Sequence, residues 1–204
     1  MAELQYIIEQ EWMDRGFSSV CGVDEAGRGP LCGPVVAAAV ILPNGLFIEG
    51  LNDSKKLSEK KREKLYDVIC ESAVAYAIAE ASVDEINQSN ILEATLLAMR
   101  RAILSLPVKP DAALIDGNIS RDFPLPAQAV IHGDAVSPSI AAASILAKVT
   151  RDRLCVELDQ SYPQYGIIRH KGYGTKEHMD ALRTHGPSPI HRTKFIRFLE
   201  DETK

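Results

Sequence analysis

Short apolar runs divide the first part of the chain into strands. Residues 35–42 are continuously apolar and a proline stands on either side, which is the length and punctuation of a buried strand. The apolar run that begins at Val20 precedes this segment and is predicted to be its hairpin partner. Residues 74–79 alternate larger and smaller side chains. They predict a third strand, after a charged helix that starts near Ser58.

Helical spacing appears next along the chain. Ser82-Val-Asp-Glu85 has the pattern of a capping box, and apolar residues then recur at helical spacing up to Pro107, which predicts one long amphipathic helix. Residues 112–117 and 127–134 are short apolar runs that contain an aspartate near the end, so each is predicted to be a buried strand whose tip carries a carboxylate. An alanine-rich helix is expected from Ser137 to about Gln160, where small residues permit close packing on the sheet.

These elements predict an α/β protein with five strands. After Pro163 the chain changes to glycine-rich loops, a short helix that begins at Thr175, and a final helix near Lys194. We therefore expect a main domain at residues 1–160 and a helical extension at residues 161–204.

Composition limits the class of protein. The chain has 204 residues, of which 46% are hydrophobic and 25% are charged, as in one globular domain with or without a small appendage. It has no apolar run of about 18 residues and no basic-then-apolar N-terminus, so we expect no membrane span, no signal peptide and a cytoplasmic location. The cysteines are far apart with no C-x-x-C pair, which favours free, mostly buried thiols over zinc or disulfides: Cys21, Cys32, Cys70 and Cys155.

Charge is distributed unevenly. The net charge of −5 argues against a generally basic nucleic-acid binder. Residues 53–64, however, hold six Lys or Arg against three acids, and residues 169–197 hold seven against two. The first segment is typical of a solvated helix face. The second, the basic tail, indicates contact with phosphates.

Four acids stand at or near the ends of three apolar segments. We call Asp24, Glu25, Asp116 and Asp134 the acid cluster. Taken singly, a strand-end aspartate is more often a turn or cap residue. Strands of one sheet can nevertheless bring such ends together, and ligation by carboxylates alone suits Mg²⁺ or Mn²⁺. Two such ions about 4 Å apart are suited to hydrolysis of a phosphodiester.

The segment Gly27-Arg28-Gly29, the Gly-Arg-Gly turn, follows the first two acids. It does not match the dinucleotide fingerprint, because the next glycine is Gly33 and Pro30 interrupts the spacing. Acids directly before the glycines would also repel a pyrophosphate. The turn more plausibly exposes backbone N–H groups to a nucleic-acid strand, with the arginine helping.

Several motifs in order resemble ribonuclease HII, over about Val20 to Arg192. They are Asp24-Glu-Ala-Gly-Arg-Gly-Pro30, Asp53-Ser-Lys-Lys-Leu-Ser58, Ile115-Asp-Gly-Asn118, Ala142-Ala-Ser-Ile-Leu-Ala-Lys-Val-Thr-Arg-Asp152 and His170-Lys-Gly-Tyr-Gly174. The resemblance implies an RNase H-like fold, with a central mixed five-stranded sheet and a C-terminal helical, substrate-binding appendage. It also implies endonucleolytic cutting of RNA in RNA/DNA hybrids and at single ribonucleotides in duplex DNA, leaving 5′-phosphate and 3′-hydroxyl ends.

The resemblance also implies roles for individual residues. The acid cluster would bind Mg²⁺ or Mn²⁺ and carry catalysis, and the Gly-Arg-Gly turn would contact the ribonucleotide 2′-OH, the group that marks RNA within DNA, and the adjacent phosphate. Tyr173 would stack on the sugar that follows the ribonucleotide. Lys55 and Lys148 are further substrate-binding candidates, although each could be a surface or helix-end charge. We expect a monomer.

One position departs from the family pattern, and two other functions stay open. The family commonly has Lys-Gly-Asp before the last acid, whereas this chain has His132-Gly133-Asp134. His132 could donate a hydrogen bond, be protonated beside the acids, or be a neutral strand residue, so contacts that depend on a lysine are in doubt. The same fold could serve a nuclease that acts on DNA alone. A non-catalytic hybrid-binding module with structural acids is the other alternative.

Overall fold

Five strands form one mixed sheet in the computed structural model, which describes residues 4–201. Along the sheet the order is β3-β2-β1-β4-β5, with β1–β2 and β2–β3 antiparallel and β1–β4 and β4–β5 parallel. The predicted mixed five-stranded sheet is therefore confirmed, including the hairpin between the first two strands. The strands are β1 Val20–Ala26, β2 Val35–Ile41, β3 Ala75–Ala81, β4 Ala112–Asp116 and β5 Ala127–Val130.

Helices cover both faces of the sheet. Apolar residues of α4 pack on one face, and those of α2 and α5 pack on the other, so β2 between them is buried along its whole length. The helices are α1 Ile7–Asp14, α2 Glu59–Ser72, α3 Val83–Gln88, α4 Ile91–Leu104, α5 Pro138–Ser161, α6 Ile167–His170, α7 Lys176–His185 and α8 Phe198–Asp201. The sequence pattern did not predict α1.

The prediction of one long helix after Ser82 is wrong. Ser82 and Glu85 form the predicted capping box, but the helix they begin, α3, ends at Gln88. Asn90 then caps a new helix, because its side-chain oxygen accepts hydrogen bonds from the backbone N–H groups of Leu92 and Glu93. The apolar residues that predicted the long helix begin at Leu92, after the break, so they do not connect α3 to α4.

The strand predicted over residues 127–134 is too long. β5 ends at Val130, and His132 follows with a left-handed φ of 55°. Asp134 consequently lies in a short 3₁₀ turn, Gly133–Ala135, and not at a strand tip. His132 lies beyond the end of β5, at the start of this turn, and is exposed, so the interpretation as a strand residue is also wrong.

The extension beyond α5 shares an apolar core with the main domain. Side chains from both parts form one buried cluster, consisting of Cys32, Cys155, Tyr165, Ile167, Leu182 and Ile196. The division at residue 160 stays a prediction. All four cysteines are free and three are buried, as expected. Among the described residues, no helix is both long and apolar enough to cross a membrane.

Close contact between β1 and α5 depends on Gly22. A Cβ at this position would lie 2.1 Å from the carbonyl carbon of Ser139, so the helix could not keep its distance from the sheet. We expect Gly22→Ala to lower the free energy of unfolding by about 3 kcal/mol, because the obstacle is backbone and must move as a unit. Urea denaturation measures this. Gly45→Ala is the control, since no atom lies within 4 Å of its Cβ and only left-handed strain of about 1 kcal/mol applies.

Candidate active site

The sheet topology brings the acid cluster to one edge. Strands β1 and β4 are parallel neighbours, so Asp24 and Glu25 near the end of β1 lie beside Asp116 at the end of β4. Asp134 joins them from the turn after β5, because the Gly133 N–H donates to Asp116 Oδ1 at 2.7 Å. The structure thus places all four predicted acids together.

Burial makes these carboxylates costly to ionise together. Asp24 is only 3% exposed, and burial followed by the charges of Glu25 and Asp116 raises its pKa well above the usual range. Burial also raises the pKa of Glu25, partly offset by Arg28, and raises that of Asp134, where Asp116 adds to it. A divalent cation would supply the missing countercharge. An all-carboxylate donor set of this kind fits Mg²⁺ or Mn²⁺.

Lys55 lies beside the fourth acid. Its Nζ is 3.6 Å from Asp134 Oδ2, and the rest of the side chain is largely exposed. The Asp53 side chain fixes the local turn by accepting a hydrogen bond from the Lys55 N–H. Burial lowers the pKa of Lys55, but the acids around it, first among them Asp134, outweigh that effect and raise it overall. Lys55 is therefore a charged group at the rim of the acid cluster.

Tyr173 packs against the Gly-Arg-Gly turn, although the two are far apart in sequence. A Cβ on Gly29 would lie 3.2 Å from Tyr173 Cε1, so only glycine leaves the ring its present position. The tyrosine side chain is 49% exposed. Both elements line a cleft of about 240 Å³ that also contains Asp24 and Asp116. The Gly-Arg-Gly turn, Tyr173 and three of the predicted acids thus line one cavity.

Lys148 also lines this cleft, but its charge already has a partner. Its Nζ is 2.5 Å from Asp152 Oδ1 on the next turn of α5, and Arg62 lies 3.5 Å from the other oxygen of Asp152. The sequence pattern does not mark Asp152 as a functional residue, apart from its position at the end of the Ala142–Asp152 motif. The neighbouring residues do not indicate that its carboxylate is buried between two cations.

Arg192 is a second residue beside the cleft that the sequence pattern does not mark. Its side chain is fully buried under the Gly-Arg-Gly turn and donates hydrogen bonds to main-chain carbonyls of that loop, including Gly27 and Arg28. In the sequence it was one of seven cations in the basic tail, a surface expected to face phosphates. Only the fold shows that it faces protein.

A chain of buried histidines runs beneath Tyr173. The Ser188 N–H donates to His191 Nδ1 at 3.1 Å, so the proton of neutral His191 resides on Nε2. That nitrogen is 3.1 Å from His178 Nε2, and His178 Nδ1 lies 3.0 Å from the Tyr173 carbonyl. Each proton therefore has one acceptor, and the chain ends on the loop that carries Tyr173.

The same two histidines and Cys32 are close enough to suggest a metal site. Their ligand atoms lie within 4.8 Å of one another. The hydrogen bond from Ser188 argues against metal binding, because it keeps the His191 proton on the nitrogen that would have to ligate. Burial also raises the pKa of the Cys32 thiol to about 11, which disfavours the thiolate form. We assign this cluster to hydrogen bonding.

The histidine chain predicts sensitivity to acid. Burial lowers the pKa of His191 from 6.5 to about 4, so the unfolded chain takes up a proton first as the pH falls. The stability that neutral His191 contributes is complete above pH 6.5 and is lost as the pH falls toward 4. Relative to His191→Gln, we expect the wild type to lose about 2 kcal/mol of unfolding free energy between pH 7.5 and pH 5. Urea denaturation of both proteins at the two pH values measures it.

Comparison with known proteins agrees with the fold. The crystal structure of ribonuclease H2 from Pyrococcus horikoshii superposes with a TM-score of 0.74 and 29% identity, covering 90% of this chain and 98% of that one. The shared fold, with its mixed five-stranded sheet between helices, defines an RNase H-like hydrolase. The family model for Ribonuclease HII matches residues 21–198. The chain belongs to the ribonuclease HII family.

Curated relatives cover most of the chain. A protein named Ribonuclease HII from an Acidovorax species is 59% identical over 185 residues, which is 91% of this chain and 88% of the relative. Ribonuclease HII 1 from Methylibium petroleiphilum is 60% identical over 174 residues, 85% of this chain and 88% of the relative. The residues matched by the family model, 21–198, include the acid cluster and the basic tail.

Proposed function

We propose that this ribonuclease cuts the RNA strand of RNA/DNA hybrids and also cuts at single ribonucleotides in duplex DNA. The products would carry 5′-phosphate and 3′-hydroxyl ends. The observation that carries the proposal is the meeting of four carboxylates with the Gly-Arg-Gly turn and Tyr173 at one edge of the sheet. We expect the protein to act as a monomer in the cytoplasm.

The acid cluster would hold Mg²⁺ or Mn²⁺. Two of its members are already oriented by the main chain, since Asp24 Oδ1 accepts the Glu25 N–H and Asp116 Oδ1 accepts the Gly133 N–H, each at 2.7 Å. Such bonds fix a carboxylate before its ligand arrives. Bound ions of this kind activate a water molecule and stabilise the leaving oxygen during attack on phosphorus. The carboxylates would provide the negative charge that holds them.

Recognition of the ribonucleotide would fall to the Gly-Arg-Gly turn and Tyr173. Gly27, Arg28 and Gly29 would contact the 2′-OH and the adjacent phosphate through N–H groups and the guanidinium. The exposed ring of Tyr173, lying against Gly29, would stack on the next sugar, where a 2′-OH is disfavoured. Lys55 and Lys148 would approach phosphates from the other side of the cleft. This mode reads sugar identity and backbone shape, so little base preference is expected.

Three duplexes of one sequence test the proposal. One is all DNA, one contains a single ribonucleotide and one is an RNA/DNA hybrid, each incubated with Mg²⁺ or Mn²⁺ and with EDTA. We expect metal-dependent cleavage of the last two and none of the first. Cleavage of the all-DNA duplex would favour a DNA nuclease, and binding without any product would favour a hybrid-binding module.

A further inference from the structure

All five hydrogen bonds of the Arg192 guanidinium go to one loop, residues 27–34. Nη1 donates to the carbonyls of Arg28 at 2.9 Å and Pro30 at 2.8 Å, and Nε donates to Gly33 at 2.9 Å. Nη2 donates to Gly27 at 2.6 Å and Pro34 at 3.2 Å. The side chain is fully buried, and all five acceptors are main-chain oxygens of residues 27–34.

Burial of the Arg192 cation costs solvation free energy, and hydrogen bonds to the loop offset that loss. Taking an arginine out of water is unfavourable unless its donors are satisfied, and here carbonyl oxygens satisfy them. Burial, with Arg151 adding to it, lowers the pKa of Arg192 to about 10, which still leaves it charged at neutral pH. The planar guanidinium offers five N–H donors on three nitrogens, whereas the lysine ammonium offers three on one nitrogen and cannot satisfy all five acceptors.

Main-chain hydrogen bonds join the same loop to the two segments around it. The Arg192 N–H donates to the Leu31 carbonyl, the Gly33 N–H donates to the Ile190 carbonyl, and the Leu31 N–H donates to the Gly172 carbonyl, each at 2.8 Å. Gly172 precedes Tyr173. The turn, the tyrosine loop and the segment around Arg192 are therefore held to one another.

The carbonyl contacts fix the direction of the neighbouring amides. In a trans peptide the carbonyl and the N–H of the next residue point in opposite directions. Because Arg192 draws the carbonyls of Gly27 and Arg28 toward itself, the N–H groups of Arg28 and Gly29 face away from it. These two residues line the cleft, so Arg192 sets the donors that the turn offers there.

We propose that Arg192 is a positioning residue for ribonucleotide recognition. It touches no substrate, and acts by holding the N–H groups of the Gly-Arg-Gly turn in the direction needed for the 2′-OH and phosphate. This inference rests on the proposed function of the turn. The five hydrogen bonds of the Arg192 side chain go to main-chain carbonyls and not to the acid cluster, so we expect the loss of Arg192 to change binding more than chemistry.

The test compares Arg192→Lys with Leu182→Ala. Leu182 is buried in the core of the extension, so its truncation weakens that core without removing a bond to the turn. Hydrogen exchange of the Leu31 and Gly33 amides is measured in the protein without nucleic acid. KM and kcat are measured with Mg²⁺ on a duplex containing one ribonucleotide, at a temperature where both variants are folded.

We expect Arg192→Lys to speed exchange of these two amides at least about tenfold and to raise KM by a similar factor, with kcat within about threefold of wild type. Leu182→Ala should leave KM unchanged. Arg192→Met fills a similar volume without a buried charge, and it provides a second variant with the same expected pattern if the lysine variant does not fold.

Three results would overturn the inference. They are unchanged amide exchange in Arg192→Lys, faster exchange with an unchanged KM, and an equal rise of KM in Leu182→Ala, which would reduce the effect to loss of stability in the extension. Failure of the proposed function is separate. Wild-type protein would then leave the single-ribonucleotide duplex uncut, while the exchange data would still decide whether Arg192 holds the turn.

Discussion

Asp116→Asn is expected to lower kcat on a duplex with one ribonucleotide by at least about a thousandfold. Asp116 lies between the acids of β1 and the turn that carries Asp134, and its charge couples to both sides of the cluster. An asparagine keeps the volume and one oxygen, but it loses the negative charge that would hold a divalent ion. Metal-ion catalysis supplies several kcal/mol of barrier lowering, which corresponds to this loss of rate. Single-turnover cleavage with Mg²⁺ and with Mn²⁺ measures it.

Strand β4 provides a matched control. Asp111 lies just before the other end of this strand, where its carboxylate accepts hydrogen bonds from Ser18 and Ser19. Asp111→Asn should therefore leave kcat unchanged. Circular dichroism and thermal unfolding establish that both variants fold. Wild-type activity in folded Asp116→Asn would refute the assignment of the acid cluster.

Asp24→Asn is expected to make the metal-free protein more stable while it destroys activity. The pKa of buried Asp24 is raised, so ionisation of Asp24 opposes folding. The penalty is absent below the pKa of the unfolded chain, near 4, and grows as the pH rises toward the folded-state pKa. Replacing the carboxylate removes the penalty. We expect Asp24→Asn to have a higher free energy of unfolding than the wild type at pH 7.5 in EDTA, measured by urea denaturation.

The stability gained by Asp24→Asn should depend on metal and on pH. Saturating Mn²⁺ binds the folded wild type and raises its stability, so the advantage of Asp24→Asn should shrink or reverse. Lowering the pH to 4 in EDTA should also remove the advantage. Asp111→Asn provides the opposite case, because hydrogen bonds from Ser18 lower the pKa of Asp111 and its ionised form favours folding. A destabilised Asp24→Asn in EDTA at pH 7.5 would contradict the account of a cluster that lacks a countercharge.

The local hydrophobic pattern was sufficient to predict most helices and strands. It failed where a capping side chain or an unusual backbone conformation ends an element. The run over residues 35–42 predicted β2 because a continuous apolar segment between prolines has few alternatives. The helix after Ser82 was predicted too long because the capping box and the apolar spacing from Leu92 were joined into one element, whereas the Asn90 side chain caps a new first turn. β5 was likewise extended too far, since the left-handed conformation of His132 leaves no mark in the apolar pattern.

The chemical groups of the site could be identified from the sequence. Asp24, Glu25 and the Gly-Arg-Gly turn are adjacent in the chain, and the ordered motifs indicated the family. Which of these groups meet in space depends on the fold. Asp134 reaches the cluster through a turn, and Tyr173 packs on Gly29. Arg192 donates a hydrogen bond to the Gly27 carbonyl, which is 165 residues away in sequence. Such contacts depend on burial and on how distant backbones approach, which local hydrophobic patterns do not record.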